Sequence, residues 1–175
     1  MIYITGDTHS DFTRFTEEQF PIQAEMTKND YIIICGDFGG AKSHDIQDGI
    51  LNLDEEEKIY EYRKRGAYFR IRDFSWWDLE LPTEEEMQNG IRNLEKVNYK
   101  VDYVISHCCP TNIQALLGGG TYKKDYLTDY LQEISEKIEF SKWYFGHYHN
   151  NRQVNDKYAL LYEDIIPLEF KSIFE

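Results

Sequence analysis

Short apolar runs closed by glycine punctuate this chain. Ile2-Tyr3-Ile4-Thr5 stops at Gly6, Tyr31 to Cys35 stops at Gly36, and Lys142 to Phe145 stops at Gly146. Runs of β-branched and aromatic residues ended by a breaker read as buried strands, and Val101 to Ser106 and Tyr158 to Tyr162 add two more. Between them the apolar spacing changes to that of helices. Thr83 and Glu86 form a capping box ahead of Met87, Ile91 and Leu94, and Leu127, Leu131, Ile134 and Ile138 make an apolar stripe. Asp11 is placed to cap a helix carrying Phe12 and Phe15 on one face, and Asp54 to Arg65 is a charged helix candidate. Gly118-Gly119-Gly120 reads as a loop between Leu117 and the stripe helix; no Lys-Ser/Thr comes after it at the spacing of a phosphate cradle.

Strands alternating with helices predict an α/β architecture with a parallel or mixed sheet. The chain has 175 residues, no internal repeat and no low-complexity linker, so one domain, 1–175, is expected. With 3 Trp, 14 Tyr and 10 Phe it has the bulk for a core. Acidic residues number 32 against 19 basic, a formal charge of −13 that disfavours nonspecific binding to nucleic acid. The longest apolar run, Tyr31 to Cys35, is far below the ~20 residues that span a bilayer, so no membrane helix is expected. The first strand meets Gly6-Asp7 almost at once, which leaves no room for a secretory signal. Three cysteines, two of them the adjacent Cys108 and Cys109, do not suggest a disulfide framework, and the reading is a reducing cytoplasm.

The chemistry collects at strand ends. Four of the five histidines, His9, His107, His147 and His149, lie just beyond predicted strands, and Asp7 and Asp37 occupy the same kind of position. Strand ends are where ligands bind in open α/β sheets. Singly, each would read as a turn residue or a satisfied polar group; together, scarce imidazoles beside Gly-Asp pairs read as a metal site. Asp7-Thr8-His9 and His147-Tyr148-His149, taken as extended segments, each put two donors on one side. Mixed His and carboxylate donors suit Zn, Fe or Mn. Six donors exceed the needs of one tetrahedral ion, so two ions sharing a carboxylate are expected.

Gly6-Asp7-Thr8-His9, Gly36-Asp37, His107 and Gly146-His147-Tyr148-His149 resemble, in order, the motif stations of the calcineurin-like metallophosphoesterase superfamily. The resemblance covers nearly the whole chain. It implies a two-sheet sandwich flanked by helices with two divalent transition-metal ions at the strand ends. Asp7, His9 and His149 then correspond to ligands of one ion, His107 and His147 to ligands of the other, and Asp37 to the bridge. The implied reaction is hydrolysis of a phosphate ester by metal-activated water.

One station is missing. The family carries Gly-Asn-His-Asp or Gly-Asn-His-Glu between the second and third ligand clusters, whose Asn completes the second metal and whose His assists the leaving group. Nowhere in this chain does Asn precede His. The stretch Gly39 to Asp45 resembles the segment downstream of that motif in bacterial and phage relatives, yet it is joined directly to Gly36-Asp37-Phe38, as though the middle of the fold had been removed. His44 is the candidate substitute acid, against the reading of an exposed loop residue; Asn112 and Asn150 are candidate replacements for the lost amide. Arg14 and Arg152 are candidate phosphate clamps, against use in surface ion pairs. Two functional readings stand: a trimmed phosphoesterase of reduced activity, and a metal-binding pseudoenzyme or assembly subunit. Removal of strands would bare sheet edges, which another chain commonly covers, and a homodimer fits either reading.

Overall fold

The computed structural model describes residues 1–38, 50–67, 69–73, 81–119 and 122–168. His44 and the pair Trp76-Trp77 lie outside them. The chain divides into two compact units: 1–40, 100–109 and 139–175 form the first, and 41–99 with 110–138 the second.

The first unit is built on two mixed sheets. In one, β1 (Ile2–Thr5) is central, parallel to β2 (Tyr31–Ile34) and antiparallel to β9 (Ile166–Pro167). In the other, β5 (Tyr103–Ile105), β6 (Lys142–Phe145) and β8 (Tyr158–Leu160) run parallel in that order, with β7 (Arg152–Gln153) antiparallel along β8. Ile4 of β1 and Cys35 beyond β2 pack with Tyr144, Ala159 and Leu161 from the second sheet and with Leu168. One apolar layer therefore joins the two sheets, as the inner faces of a sandwich do. The run at Tyr31 differs from expectation. Among the described residues it is an edge strand, paired with β1 alone, with Tyr31 exposed and the three isoleucines half-buried.

The helix expected after Asp11 is replaced by one 3-10 turn, Thr13–Phe15. Asp11 Oδ1 accepts from Thr13 N at 3.1 Å and from Thr13 Oγ1 at 2.7 Å, so it closes a local turn instead of capping a longer helix. A second 3-10 turn, Pro21–Glu25, comes next.

The second unit holds β3 (Ile50–Leu51) parallel to β4 (Arg70–Ile71), and helices α1 (Glu56–Lys64), α2 (Glu84–Lys96), α3 (Thr111–Gly118) and α4 (Tyr126–Lys137). Ile59 of α1 packs against Leu51 and Ile71. The capping box at Thr83 and Glu86 opens α2 with both of its reciprocal bonds, and Asp125 with Thr128 forms another at α4. Leu131 and Ile134 of the stripe are buried. Of the glycine tract, Gly118 ends α3 and Gly119 comes next in the left-handed region, φ 57°, as a helix stop.

Gly90, inside α2, is fixed by α4. The Tyr130 hydroxyl donates to Met87 O at 2.8 Å and sits where a Cβ on Gly90 would lie. Alanine in a helix interior ordinarily gains roughly 0.5–1 kcal/mol over glycine, but here it must displace that hydroxyl and its bond, worth about 1 kcal/mol. Gly90→Ala is expected to lose its gain in the native background and recover it with Tyr130→Phe. Equal effects in both backgrounds, measured by urea unfolding, would show that the hydroxyl does not set this position.

Candidate metal centre

All six expected ligands belong to the first unit, and parallel pairing explains their delivery. Thr5 pairs with Ile34 and Ile105 with Tyr144, so within each sheet neighbouring strands end side by side. Asp7 lies two residues past β1, Asp37 three past β2, His107 two past β5 and His147 two past β6. The loops are then tied together. Asp37 O accepts from Thr8 N at 2.9 Å and His9 N at 2.8 Å, while His107 O accepts from Gly146 N at 2.9 Å.

Glycine is required where the loops converge. A Cβ on Gly36, φ 151°, would fall on His107 Nδ1 and crowd Asp7 Oδ1, and one on Gly146 would collide with the same carboxylate oxygen. The breakers that end the sheet runs therefore also leave the volume that the donors occupy.

Asp7 is the centre of the arrangement. It is fully buried, its Oδ2 accepts from His147 N at 2.8 Å, and it belongs to two groups of donor atoms, Asp7-His9-His149 and Asp7-Asp37-His107. Asp7 Oδ2 stands 3.9 Å from His9 Nε2 and 3.6 Å from His149 Nε2, and Oδ1 stands 3.3 Å from His107 Nδ1. Asp37 spans the same gap, 3.6 Å from His9 Nδ1 and 3.8 Å from His107 Nε2. Both carboxylates are thus shared across the site, where the resemblance gave that position to Asp37 alone. His147 falls outside the two groups and reaches His107, Nδ1 to Nε2, at 3.0 Å.

The imidazoles are not held on extended segments. His9, His147 and His149 have φ of 46°, 70° and 44°, and Ser10 has 64°. Non-glycine residues take this region at a cost of about 1–3 kcal/mol each, so the local backbone is turned to aim side chains. His9 and His149 consequently meet, Nε2 to Nε2, at 2.8 Å.

The donor set fits metal ions. Asp7 Oδ1, His9 Nδ1 and His107 Nδ1 are buried with no hydrogen-bond partner, which ordinary buried polar atoms avoid.

Charge coupling separates the histidines. Burial and the neighbouring His107 push His147 down to about 4. His9 is lowered too, by burial first, against the pull of Asp37. Burial would also lower His107, but Asp7 and then Asp37 outweigh it and hold His107 above 6.5. For Asp7, burial pushes the carboxyl up, and His107 together with the His147 N–H reverses this to leave it below 3.8.

The other candidates are placed differently. Arg14 donates to Thr5 Oγ1 at 3.3 Å and to Tyr162 O, and lies over the Tyr162 ring at 5.6 Å. It also lines a pocket of about 470 Å³ with Asp11, Glu163 and Asp164. Arg152 is exposed on β7 and Asn150 is exposed beyond His149. Asn112 lies in α3, where its backbone N–H donates to Gln132 Oε1 at 3.0 Å. One supporting residue escaped sequence reasoning: the Tyr162 ring stacks on His149 at 4.9 Å and 24°. A tyrosine after an apolar strand carries no signal of that use.

No family model, curated protein or solved structure matches this chain.

A ligand imidazole must be neutral, so protons compete with metal first at the histidine of raised pKa, His107. Without metal, the same raised pKa stabilises the fold fully below 6.5 and is lost as pH rises through the folded value. The gap in Tm between Zn²⁺-loaded and EDTA-treated protein should therefore widen from pH 6 to pH 8 and lose most of that slope in His107→Asn. A constant gap across that range would remove His107 from the ligands.

Proposed function

We propose that this chain is a metal-dependent hydrolase of phosphate mono- or diesters with a dinuclear centre, a trimmed member of the calcineurin-like metallophosphoesterases. The observation that carries the reading is the pair of donor groups sharing the buried Asp7 at the strand ends, with its Oδ1 making no hydrogen bond. The two mixed sheets packed through one apolar layer are consistent with that fold.

Asp7, His9 and His149 would hold one Mn, Fe or Zn ion, and Asp37, His107 and His147 the other, with Asp7 and Asp37 spanning both. Such ions supply positive charge for the nonbridging oxygens of the ester and activate water near neutral pH. The chain's own part is to aim these donors and to hold His9 and His147 below the usual imidazole range by burial. Burial keeps His147 neutral, the His147 N–H fixes Asp7 Oδ2, and the Tyr162 ring fixes the plane of His149. Arg14, engaged with Thr5 and Tyr162, supports that ring in this reading and is not assigned to the phosphate. No described helix is long and apolar enough to cross a membrane, and Cys35, Cys108 and Cys109 are buried thiols outside any disulfide, in keeping with a cytoplasmic protein.

The missing Asn-His pair favours a second reading, a metal-binding pseudoenzyme or assembly subunit. Turnover separates the two. General acid catalysis is typically worth 10²–10⁴-fold, so hydrolysis should be slow and skewed toward esters that need little protonation, such as nitrophenyl phosphates. Manganese-loaded protein is expected to hydrolyse nitrophenyl phosphate, with Asp37→Asn losing both metal and activity. His44→Ala should slow alkyl esters more than nitrophenyl esters; equal slowing takes His44 out of the acid role. Metal bound without turnover on mono- or diesters would leave the pseudoenzyme, and no metal bound after Mn²⁺ or Zn²⁺ loading would end both readings.

A further inference from the structure

Three phenyl rings meet on the segments that follow β1 and β2. Phe12 stacks on Phe15 at 6.3 Å and 25°, and meets Phe38 at 5.2 Å and 45°. Two of them stay open to solvent, Phe12 at 44% and Phe38 at 62%. Contiguous exposed apolar surface on a soluble chain marks a binding site more often than isolated apolar residues do.

The position of these rings decides what would sit on them. Phe38 is the residue next to Asp37, about 3.8 Å away along the backbone. Its carbonyl accepts from Ser10 N at 3.1 Å and Thr8 Oγ1 at 2.6 Å, which clips it to the turn carrying His9. Phe12 lies three residues beyond His9 on the same loop. Two loops that supply donors to the centre thus each project a phenyl ring, and the rings touch.

We propose that Phe12 and Phe38 form a stacking platform for the alcohol portion of the substrate, which makes the preferred substrate a phosphate ester bearing a planar aromatic group, a nucleobase or an aryl ring. This rests on the hydrolase reading above. An ester whose phosphate is held by the Asp7 and Asp37 donors would bring its alcohol past the residues that flank them in sequence. Flat π-systems that stack on exposed phenyl faces gain about tenfold or more in binding per ring. The chain's charge of −13 argues for a small ester over a polynucleotide.

The test compares three esters of primary alcohols, so that leaving-group acidity does not decide the result: adenosine 5′-monophosphate, 2-phenylethyl phosphate and ribose 5-phosphate. With manganese-loaded protein, KM for at least one ring-bearing ester should fall about tenfold below that of ribose 5-phosphate, and in the Phe12→Ala/Phe38→Ala variant that ratio should fall to near one. Which ester shows it distinguishes nucleobase from aryl recognition. Phe38→Leu keeps the apolar bulk without the π face and should lose most of the ratio while melting as the native protein does. A second readout needs no turnover: saturation-transfer NMR of the same esters on the metal-free chain, where ring protons should receive saturation and lose it in the double variant. Transfer without hydrolysis of any ester would leave the platform standing and the hydrolase reading fallen. Hydrolysis with equal KM for all three esters, or a dimer that the double variant dissolves, would overturn the platform.

Discussion

An aspartate with no solvent exposure sets the terms for this structure. Leaving a carboxylate uncompensated in a protein interior costs several kcal/mol, so Asp7 constrains everything around it. It takes the His147 N–H on one oxygen and the charge of His107 beside the other, and it ends up more acidic than an exposed aspartate. Those two partners come from the second sheet while Asp7 lies just past a strand of the first. The shared apolar layer beneath, from Ile4 to Leu168, holds the sheets in the register that makes this compensation possible. Remove any one of these and a buried charge is left bare.

The same carboxylate explains the glycines. Gly36 and Gly146 would each put a Cβ into the space around Asp7 Oδ1. Without them, Asp7 could not approach His107 and the His147 N–H together. Oδ1 is left with no hydrogen bond and with His107 Nδ1 at 3.3 Å.

Sequence patterns carried the parts of this fold that are periodic or punctuated. β1 and β6 were legible because each is an unbroken β-prone run ended by glycine, and α2 because Thr83 and Glu86 signal its start at the right spacing. The gathering of Asp7, Asp37, His107 and His147 at strand ends was legible for a related reason: each comes within three residues of the end of a β-prone run, and parallel neighbours end side by side. The two-residue strands β3, β4, β7 and β9 were not legible, since a pair of residues has no periodicity and owes its pairing to partners distant in sequence. The turn after Asp11 misled because an aspartate that caps a helix and one that closes a single turn look alike in sequence. Sharing of Asp7 by both donor groups depends on the approach of two sheets, which one-dimensional spacing does not encode.

Backbone conformation supplies an argument that burial alone does not. His9, His147 and His149 lie in the left-handed region, where glycine or asparagine would fit at less cost. Packing gives three imidazoles little return for that strain, since the contacts they make include nitrogen-to-nitrogen pairs that give each other one hydrogen bond at most. What the turned backbone achieves is proximity: it brings His9 and His149 Nε2 within 3.9 Å of Asp7 Oδ2 and His9 Nδ1 to 3.6 Å from Asp37. Under the proposed function, a metal ion held by these side chains would return the free energy that the turned backbone withholds from the fold.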